Sequence, residues 1–182
     1  LHDHVELQLG DGRAVRFNDP RRFGSMHLVD GDPLTHPLLA DLGPEPLSDA
    51  FDGKHLYQAS RRRKTPVKIF LMNAANVVGV GNIYASESLF HAGIRPTKTA
   101  GKLTQAECAR LAGEVKRVLG DAIEVGGTTL RDYVDPEGNP GYFRQRLFVY
   151  ERAGKACRRC STAITHKVLG QRSTYWCPTC QR

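Results

Sequence analysis

The chain lacks any long hydrophobic run. Its longest apolar stretches, such as Ile69-Phe70-Leu71-Met72 and Val77-Val78, fall far short of the ~20 residues a membrane-spanning helix needs. Nothing in the sequence resembles a secretory leader either, because Leu1-His2-Asp3-His4 is polar and no apolar core follows it. The default is therefore a soluble intracellular protein. There is no initiator methionine, and His4-Val5-Glu6-Leu7-Gln8-Leu9 reads as the middle of a sheet rather than a free terminus. The expectation is that something preceded this segment. Acids are scarce at the other end. From Arg144 onward, Arg146, Arg152, Lys155, Arg158, Arg159, Lys167, Arg172 and Arg182 add to the positive charge, and Glu151 is the one acid opposing them.

What remains is enough for a folded domain or two small ones: 182 residues, 40% of them hydrophobic. The formal net charge is +7 and the pI about 9.3, and the chain stays basic after four thiolates take up one dication. An excess of this size points toward a polyanionic partner. Arg61-Arg62-Arg63-Lys64 forms a second basic cluster mid-chain. The bland alternative for both clusters is a solvated face.

The cysteines are the sharpest local signal. Cys157-x2-Cys160 and Cys177-x2-Cys180 are separated by sixteen residues, the pattern of two metal knuckles facing each other across a hairpin. Disulfides are disfavoured by the intracellular character and by a fifth cysteine, Cys108. A redox pair would stand alone near a βαβ unit, and none is visible. Four thiolates leave no open coordination position, so the expected zinc is structural. Its contribution to folding in small modules is on the order of 10–16 kcal/mol. Ala163 to Lys167 and Ser173 to Trp176 read as the two strands of the hairpin, joined around Gly170-Gln171-Arg172. Cys108 lies in a helical pattern and reads as a packing residue.

Elsewhere the patterning is mixed. His4 to Leu9 and Ala14 to Phe17 alternate around Gly10-Asp11-Gly12, a hairpin signal, and Ser25 to Val29 is a candidate third strand. Between them stands Asp19-Pro20-Arg21-Arg22-Phe23-Gly24, a loop with two arginines and an aromatic. Gly31 to Ser48 is rich in proline and glycine and reads as a linker, with the sheet-to-helix boundary near Pro44. Helical periodicity runs from Val67 to Met72, breaks at Val78-Gly79-Val80-Gly81-Asn82, and resumes from Ile83 to Ala92. Thr104-x-x-Glu107 is a capping box that opens a longer helix with apolar Cys108, Leu111, Ala112, Val115, Val118, Leu119 and Ile123. Gly126-Gly127 ends that helix, and Thr128 to Tyr142 has no period and reads as an exposed functional loop. Gly79-Val80-Gly81 fails as a dinucleotide fingerprint, because Tyr84 stands where the third glycine belongs and helical residues precede it. A helix–turn–helix remains. Asn82 at the start of its second helix is either a phosphate grip or the cap of a plain tight turn.

With these motifs in order the chain resembles the formamidopyrimidine-DNA glycosylases, bacterial base-excision enzymes that remove oxidised purines. The resemblance rests on Asp19 to Gly24, on Leu42-Gly43-Pro44-Glu45-Pro46-Leu47, on Val78 to Glu87, on Gly126-Gly127-Thr128-Thr129-Leu130, and on the zinc hairpin through Gln171 to Cys177. It implies an α+β fold. Residues 1–43 would be the last strands of a catalytic β-sandwich and a linker, 44–150 a helix–two-turn–helix DNA-binding domain, and 151–182 a zinc finger. It implies a bifunctional glycosylase and AP lyase, acting as a monomer on damaged double-stranded DNA in the bacterial cytoplasm, in association with the nucleoid. Arg21 and Phe23 resemble the side chains that enter the duplex where the damaged base leaves. Lys68, Asn82 and Arg172 resemble phosphate grips, His2 and Arg63 match DNA-contacting positions, and Gly126 to Tyr142 corresponds to a loop that closes over the extruded base. Arg172 also matches a family arginine assigned to the late elimination step.

The sequence departs from the family in one respect. The family nucleophile is the amine of an N-terminal proline followed by a catalytic glutamate, with a lysine of the same domain assisting elimination. Leu1-His2-Asp3 offers none of these. The alternatives are a DNA-binding fragment without catalysis and a relative of endonuclease eight, which removes oxidised pyrimidines. The intact Arg21-x-Phe23 pair favours the purine group. A zinc-ribbon protein of transcription or translation leaves Val78 to Glu87 unexplained. This polypeptide alone is expected neither to excise bases nor to form a covalent adduct. Borohydride treatment with an 8-oxoguanine duplex should trap no covalent adduct, and a trapped complex would overturn that expectation.

Overall fold

The structure is a computed structural model, and it describes residues 1–127 and 146–182. The chain divides into two compact units, Leu1–Ala40 and Asp41–Arg182.

In the first unit, β1 (Asp3–Gln8) and β2 (Ala14–Asn18) form an antiparallel hairpin, with Leu7 opposite Val15 and Glu6 opposite Arg16. The Gly10-Asp11-Gly12 turn closes it through Leu9 N–H to the Arg13 carbonyl at 2.8 Å. Val5, Leu7, Leu9 and Val15 all remain exposed. The expected end of a β-sandwich is therefore a single two-stranded hairpin, and no β-sandwich is present among the described residues. Ser25 to Val29 forms no strand either, since it runs without a ladder partner among the described residues. A short 3-10 turn at Pro33–Thr35 and α1 (Pro37–Ala40) complete the unit within the proline-rich stretch expected to be a linker.

The second unit is built on α2 (Gly53–Ser60), α3 (Val67–Leu71), α4 (Asn82–His91) and α5 (Gln105–Glu124). Asp52 caps α2 by accepting the His55 N–H at 2.7 Å. The capping box of α5 is present in both directions, between Thr104 and Glu107. Helical spacing then directs Cys108, Leu111, Ala112, Val115 and Leu119 into a core with Leu56, Phe70, Leu71, Ala85 and Leu89. Cys108 is fully buried, as a packing residue should be. Ile123 is the exception to the apolar stripe, lying exposed in the last turn of α5.

The Leu42 to Leu47 motif packs against the turn between α3 and α4. Gly43 N–H donates to the Ala74 carbonyl and Val78 N–H to the Pro44 carbonyl. A Cβ on Gly43 would stand 2.6 Å from the Asn76 carbonyl carbon, so no larger residue fits. At the C-terminal end, β3 (Thr165–Leu169) and β4 (Arg172–Trp176) pair antiparallel, with Leu169 opposite Arg172. No helix among the described residues is long and apolar enough to cross a membrane.

Candidate nucleic-acid interface

In the first unit the Asp19 to Gly24 loop is organised by one carboxylate. Asp19 accepts the backbone N–H of Gly24 at 2.6 Å and of Arg21 at 3.1 Å, and these bonds hold it below the usual carboxylate range. The tight turn presents Arg21 and Phe23 together. The Arg21 guanidinium lies over the Phe23 ring, 4.7 Å from its centroid, while the ring itself is 80% exposed. An exposed aromatic stiffened by its neighbour suits insertion between bases. His2, another expected DNA contact, is exposed in the same unit with a positive φ of 72°.

In the second unit, α4 begins at Asn82, with Gly81 in the N-cap position and no side-chain cap bond. Asn82 is thus not the cap of a plain turn. Its amide lies against Tyr150, with Nδ2 3.3 Å from the hydroxyl, and its buried Oδ1 has no partner. Half a turn of the carboxamide would let the Tyr150 O–H donate to Oδ1 and turn Nδ2 into a free donor. Tyr150 is held in place from below. Glu87, one α4 turn and a half further on and only 2% exposed, accepts the backbone N–H groups of Phe148, Val149 and Tyr150 at 2.8–3.0 Å. Burial raises the Glu87 pKa, and the three N–H donors oppose that rise.

Tyr150 also meets the hairpin, its ring 5.2 Å edge-on from Tyr175 of β4. Arg172, at the start of β4, is exposed and near enough for its charge to act on the Tyr150 phenol. Asn82, Tyr150 and Arg172 therefore share one neighbourhood, although they are far apart in the chain. No ion pair occupies Arg172 among the described residues.

Lys68 was expected to be a phosphate grip, and the structure places its side chain inside. The side chain is fully buried, and Nζ donates to the Ser173 carbonyl at 2.8 Å and to the Thr174 hydroxyl at 2.7 Å. It braces the strand directly behind Arg172 rather than facing solvent. Burial, with the Arg172 charge beside it, lowers the ammonium pKa to about 8. The adjoining Ile69 side chain closes on Gly170, where a Cβ would come within 2.7 Å of Ile69 Cδ1 and where φ is +53°. The hairpin turn is thus seated on α3.

The four cysteines converge as their spacing demanded. Their sulfurs all lie within 4.8 Å of one another, with Cys157–Cys180 at 4.0 Å and Cys160–Cys177 at 3.4 Å. Tetrahedral thiolates about 2.3 Å from zinc would be about 3.8 Å apart, so the donor set fits one such ion. Thr162 hydrogen bonds lower Cys160 to about 6, whereas burial raises Cys177 and pushes Cys180 up to about 12. Four thiolates this close coexist only with a dication among them. The first knuckle packs its arginines on aromatics, Arg159 over Phe90 at 4.7 Å and Arg158 over Phe148 at 5.7 Å.

Arg63 is exposed where α2 leads into α3, its Nε 3.4 Å from the Ala59 carbonyl. The basic cluster beside it is not wholly solvated. Arg61 turns inward, 3.9 Å over the Tyr57 ring, and donates to the Leu103 carbonyl at 2.7 Å. The expected closing loop from Gly126 to Tyr142 lies outside the described residues beyond Gly127. Sequence reasoning did not find Asp19, Glu87, Tyr150 or Gln181. Only Asp19, in Asp-Pro with a glycine five residues on, carried a local signal.

Two family models match the chain. The formamidopyrimidine-DNA glycosylase H2TH domain covers residues 42–134, and the zinc finger found in FPG and IleRS covers 154–182. A formamidopyrimidine-DNA glycosylase of Stenotrophomonas maltophilia is 58% identical over 181 residues, 100% of this chain and 67% of its own length. The chain thus spans about two thirds of such relatives. The crystal structure of the MutM (Fpg) protein from Thermus thermophilus superposes with a TM-score of 0.90 at 42% identity, covering 99% of this chain and 68% of that one. A Lactococcus lactis Fpg variant bound to Fapy-dG-containing DNA gives a TM-score of 0.88 at 32% identity, covering 100% and 67%. With the zinc-finger match added to the sulfur geometry, the cysteines hold one structural zinc ion.

Removing the zinc with a chelator should unfold the hairpin and spare the helices. Trp176, the one tryptophan, is 8% exposed in β4, so its emission should shift to the red while helical circular dichroism persists. Parallel loss of both signals would tie the helical core to the metal. Lys68 gives a pH test. The folded state loses this proton near pH 8, whereas the unfolded chain keeps it to about 10.5. The Lys68 contribution to stability should therefore rise with pH between about 8 and 10.5. Urea unfolding of wild type and Lys68→Met should show a difference that changes across that window. A constant difference would refute the depressed pKa.

Proposed function

The chain belongs to the formamidopyrimidine-DNA glycosylase family, and on that basis we propose that it acts in base-excision repair, gripping duplex DNA around an oxidised purine. The observation that supports this best is that Tyr150 touches both Asn82, through its hydroxyl, and the hairpin that carries Arg172, through the Tyr175 ring. An amide at the start of a helix and a guanidinium with no ion pair among the described residues make a pair of donors for backbone phosphate. The N-terminus of α4 has no side-chain cap, so its dipole favours the same anion.

In this reading the phosphates beside the lesion seat on Asn82 and Arg172. Arg63 and His2 add further backbone contacts, and Lys68 acts through Arg172 from behind. The Arg21–Phe23 loop enters the stack where the base departs. The aromatic holds the neighbouring bases apart, and the guanidinium hydrogen-bonds the orphaned partner base. Together they offset part of the few kcal/mol that extrusion costs. Relatives named for formamidopyrimidine removal and a neighbour bound to Fapy-dG DNA support formamidopyrimidines as lesions, and a MutM neighbour bound to carbocyclic 8-oxo-G DNA supports 8-oxoguanine.

The whole-protein reaction proposed is release of the damaged base followed by strand cleavage at the abasic site. Arg172 is assigned to phosphate contact during that late elimination. None of the residues described here is assigned as the nucleophile. The zinc ion supplies rigidity and no chemistry, since all of its positions are filled by sulfur.

Asn82→Ala and Arg172→Ala should each weaken binding to damaged duplex roughly 10- to 100-fold, the range for charge-assisted hydrogen bonds. Arg172→Ala should also reduce the slope of log affinity against log salt by about one, whereas Asn82→Ala removes no charge and should leave the slope unchanged. Fluorescence anisotropy over a salt series measures both. Wild-type affinity in Asn82→Ala would remove Asn82 from the phosphate grip, and an unchanged slope in Arg172→Ala would remove Arg172.

A further inference from the structure

Gln181 is fully buried, and both ends of its side chain are used. Oε1 accepts the Cys177 N–H at 2.9 Å, and Nε2 donates to the Ile94 carbonyl at 2.9 Å. Its own N–H donates to the Cys177 carbonyl at 3.0 Å. The amide therefore joins the second zinc knuckle to the backbone just beyond α4. The next residue continues the seam. Arg182 N–H donates to the Gly93 carbonyl, and Arg95 N–H donates to the Arg182 carbonyl, both at 3.2 Å.

This seam lies at the far end of α4 from Asn82. The helix has ten residues, about 15 Å at 1.5 Å per residue. β4 leaves the knuckle at Cys177 and runs back toward Arg172, where Lys68 holds Ser173 and Thr174. The strand is thus attached to the helical core near both of its ends. Zinc makes the knuckles rigid, but an ion bound only by hairpin residues cannot orient the hairpin on the helices. One attachment would leave a hinge, and two remove it.

We propose that Gln181 is a positioning residue for DNA binding: by tying the second zinc knuckle to the end of α4, it sets Arg172 at a fixed place relative to Asn82. This rests on the phosphate-grip reading of Arg172. The side-chain chemistry is specific. A glutamine offers an acceptor to Cys177 N–H and a donor to Ile94 O from one buried group. Glutamate keeps only the acceptor, and methionine keeps the shape with neither.

The test is a double-mutant cycle on the zinc-loaded chain. Gln181→Met, Arg172→Ala and the double variant are compared by anisotropy on duplex DNA containing a tetrahydrofuran abasic analogue, with zinc content and circular dichroism measured in parallel. Gln181→Met should keep one zinc per chain and its helicity, yet bind roughly tenfold more weakly because Arg172 is no longer held in place, a coupling carried through the hairpin rather than by contact. The double variant should then bind no more weakly than Arg172→Ala alone. Gln181→Glu, which retains the Cys177 bond, should show the same Arg172-dependent loss. Wild-type affinity in Gln181→Met, or a loss that adds in full to that of Arg172→Ala, overturns the proposal and leaves the grip intact. Loss of zinc in both Gln181 variants also overturns it, making Gln181 a residue of metal-site stability. An Arg172→Ala variant that binds like wild type sinks the grip reading, and this inference with it.

Discussion

Four sulfur atoms within 4.8 Å of one another are the constraint on which the C-terminal part of the molecule depends. The hydrophobic cluster beneath the hairpin is small: Phe90, Val149 and Ile164, with Cys157 and Cys177 themselves completing it. So little apolar surface cannot fix a 29-residue segment against its conformational entropy, and the metal supplies the difference. Zinc also sets the hairpin register, since shifting β3 against β4 by one residue would pull the knuckles apart.

The metal does not determine where the hairpin sits. That falls to a set of buried polar side chains, each of which joins the helical core to the C-terminal segment. Glu87 reaches from α4 to the 148–150 backbone, Lys68 from α3 to β4, and Gln181 from the second knuckle to Ile94. Unpaired, each of these groups would cost on the order of 1–3 kcal/mol or more, so the docked arrangement is strongly preferred over any shifted one. Their partners have an electrostatic consequence as well. Glu87 directs its charge at backbone N–H groups, and Lys68 is met by neutral oxygens. Among the described residues no carboxylate is paired with Lys68 or Arg172, and the positive potential at the tip of the hairpin is left for an anion.

How much of this was legible beforehand follows from the range of each interaction. The zinc knuckles, the Thr104 capping box and the α5 stripe are set by residues within a few positions of one another, and the sequence displays them directly. Ile123 fits the same periodicity yet is exposed, because spacing assigns a face without saying where the neighbouring elements end. The apolar alternation of the first hairpin was readable, but Ser25 to Val29 shows that β-like residues need a partner edge before they become a strand. Lys68 is the instructive case. Its motif position pointed to phosphate, but its contacts with Ser173 and Thr174 span more than a hundred residues, and no local pattern could place its ammonium inside. Glu87 and Gln181 were hidden for the same reason. A glutamate in a helix and a glutamine near a terminus are ordinary surface residues until a distant backbone arrives.

The proposed phosphate grip, drawn from distant segments, has a mechanical logic. Asn82 stands at the start of a helix whose apolar residues are locked in the main core, so it moves with the second unit as a whole. Arg172 stands on a hairpin that would be mobile alone. Tyr150 touches both, through its hydroxyl to Asn82 and its ring to Tyr175, and its backbone is fixed by Glu87. Recognition of a bent backbone needs two donors at a set spacing, and a long arginine side chain loses rotamer entropy when it binds. Mounting its Cα on a strand pinned near both ends removes the backbone share of that cost before DNA arrives. Under that proposal the buried carboxylate, lysine and glutamine are the support of the grip rather than features of the core.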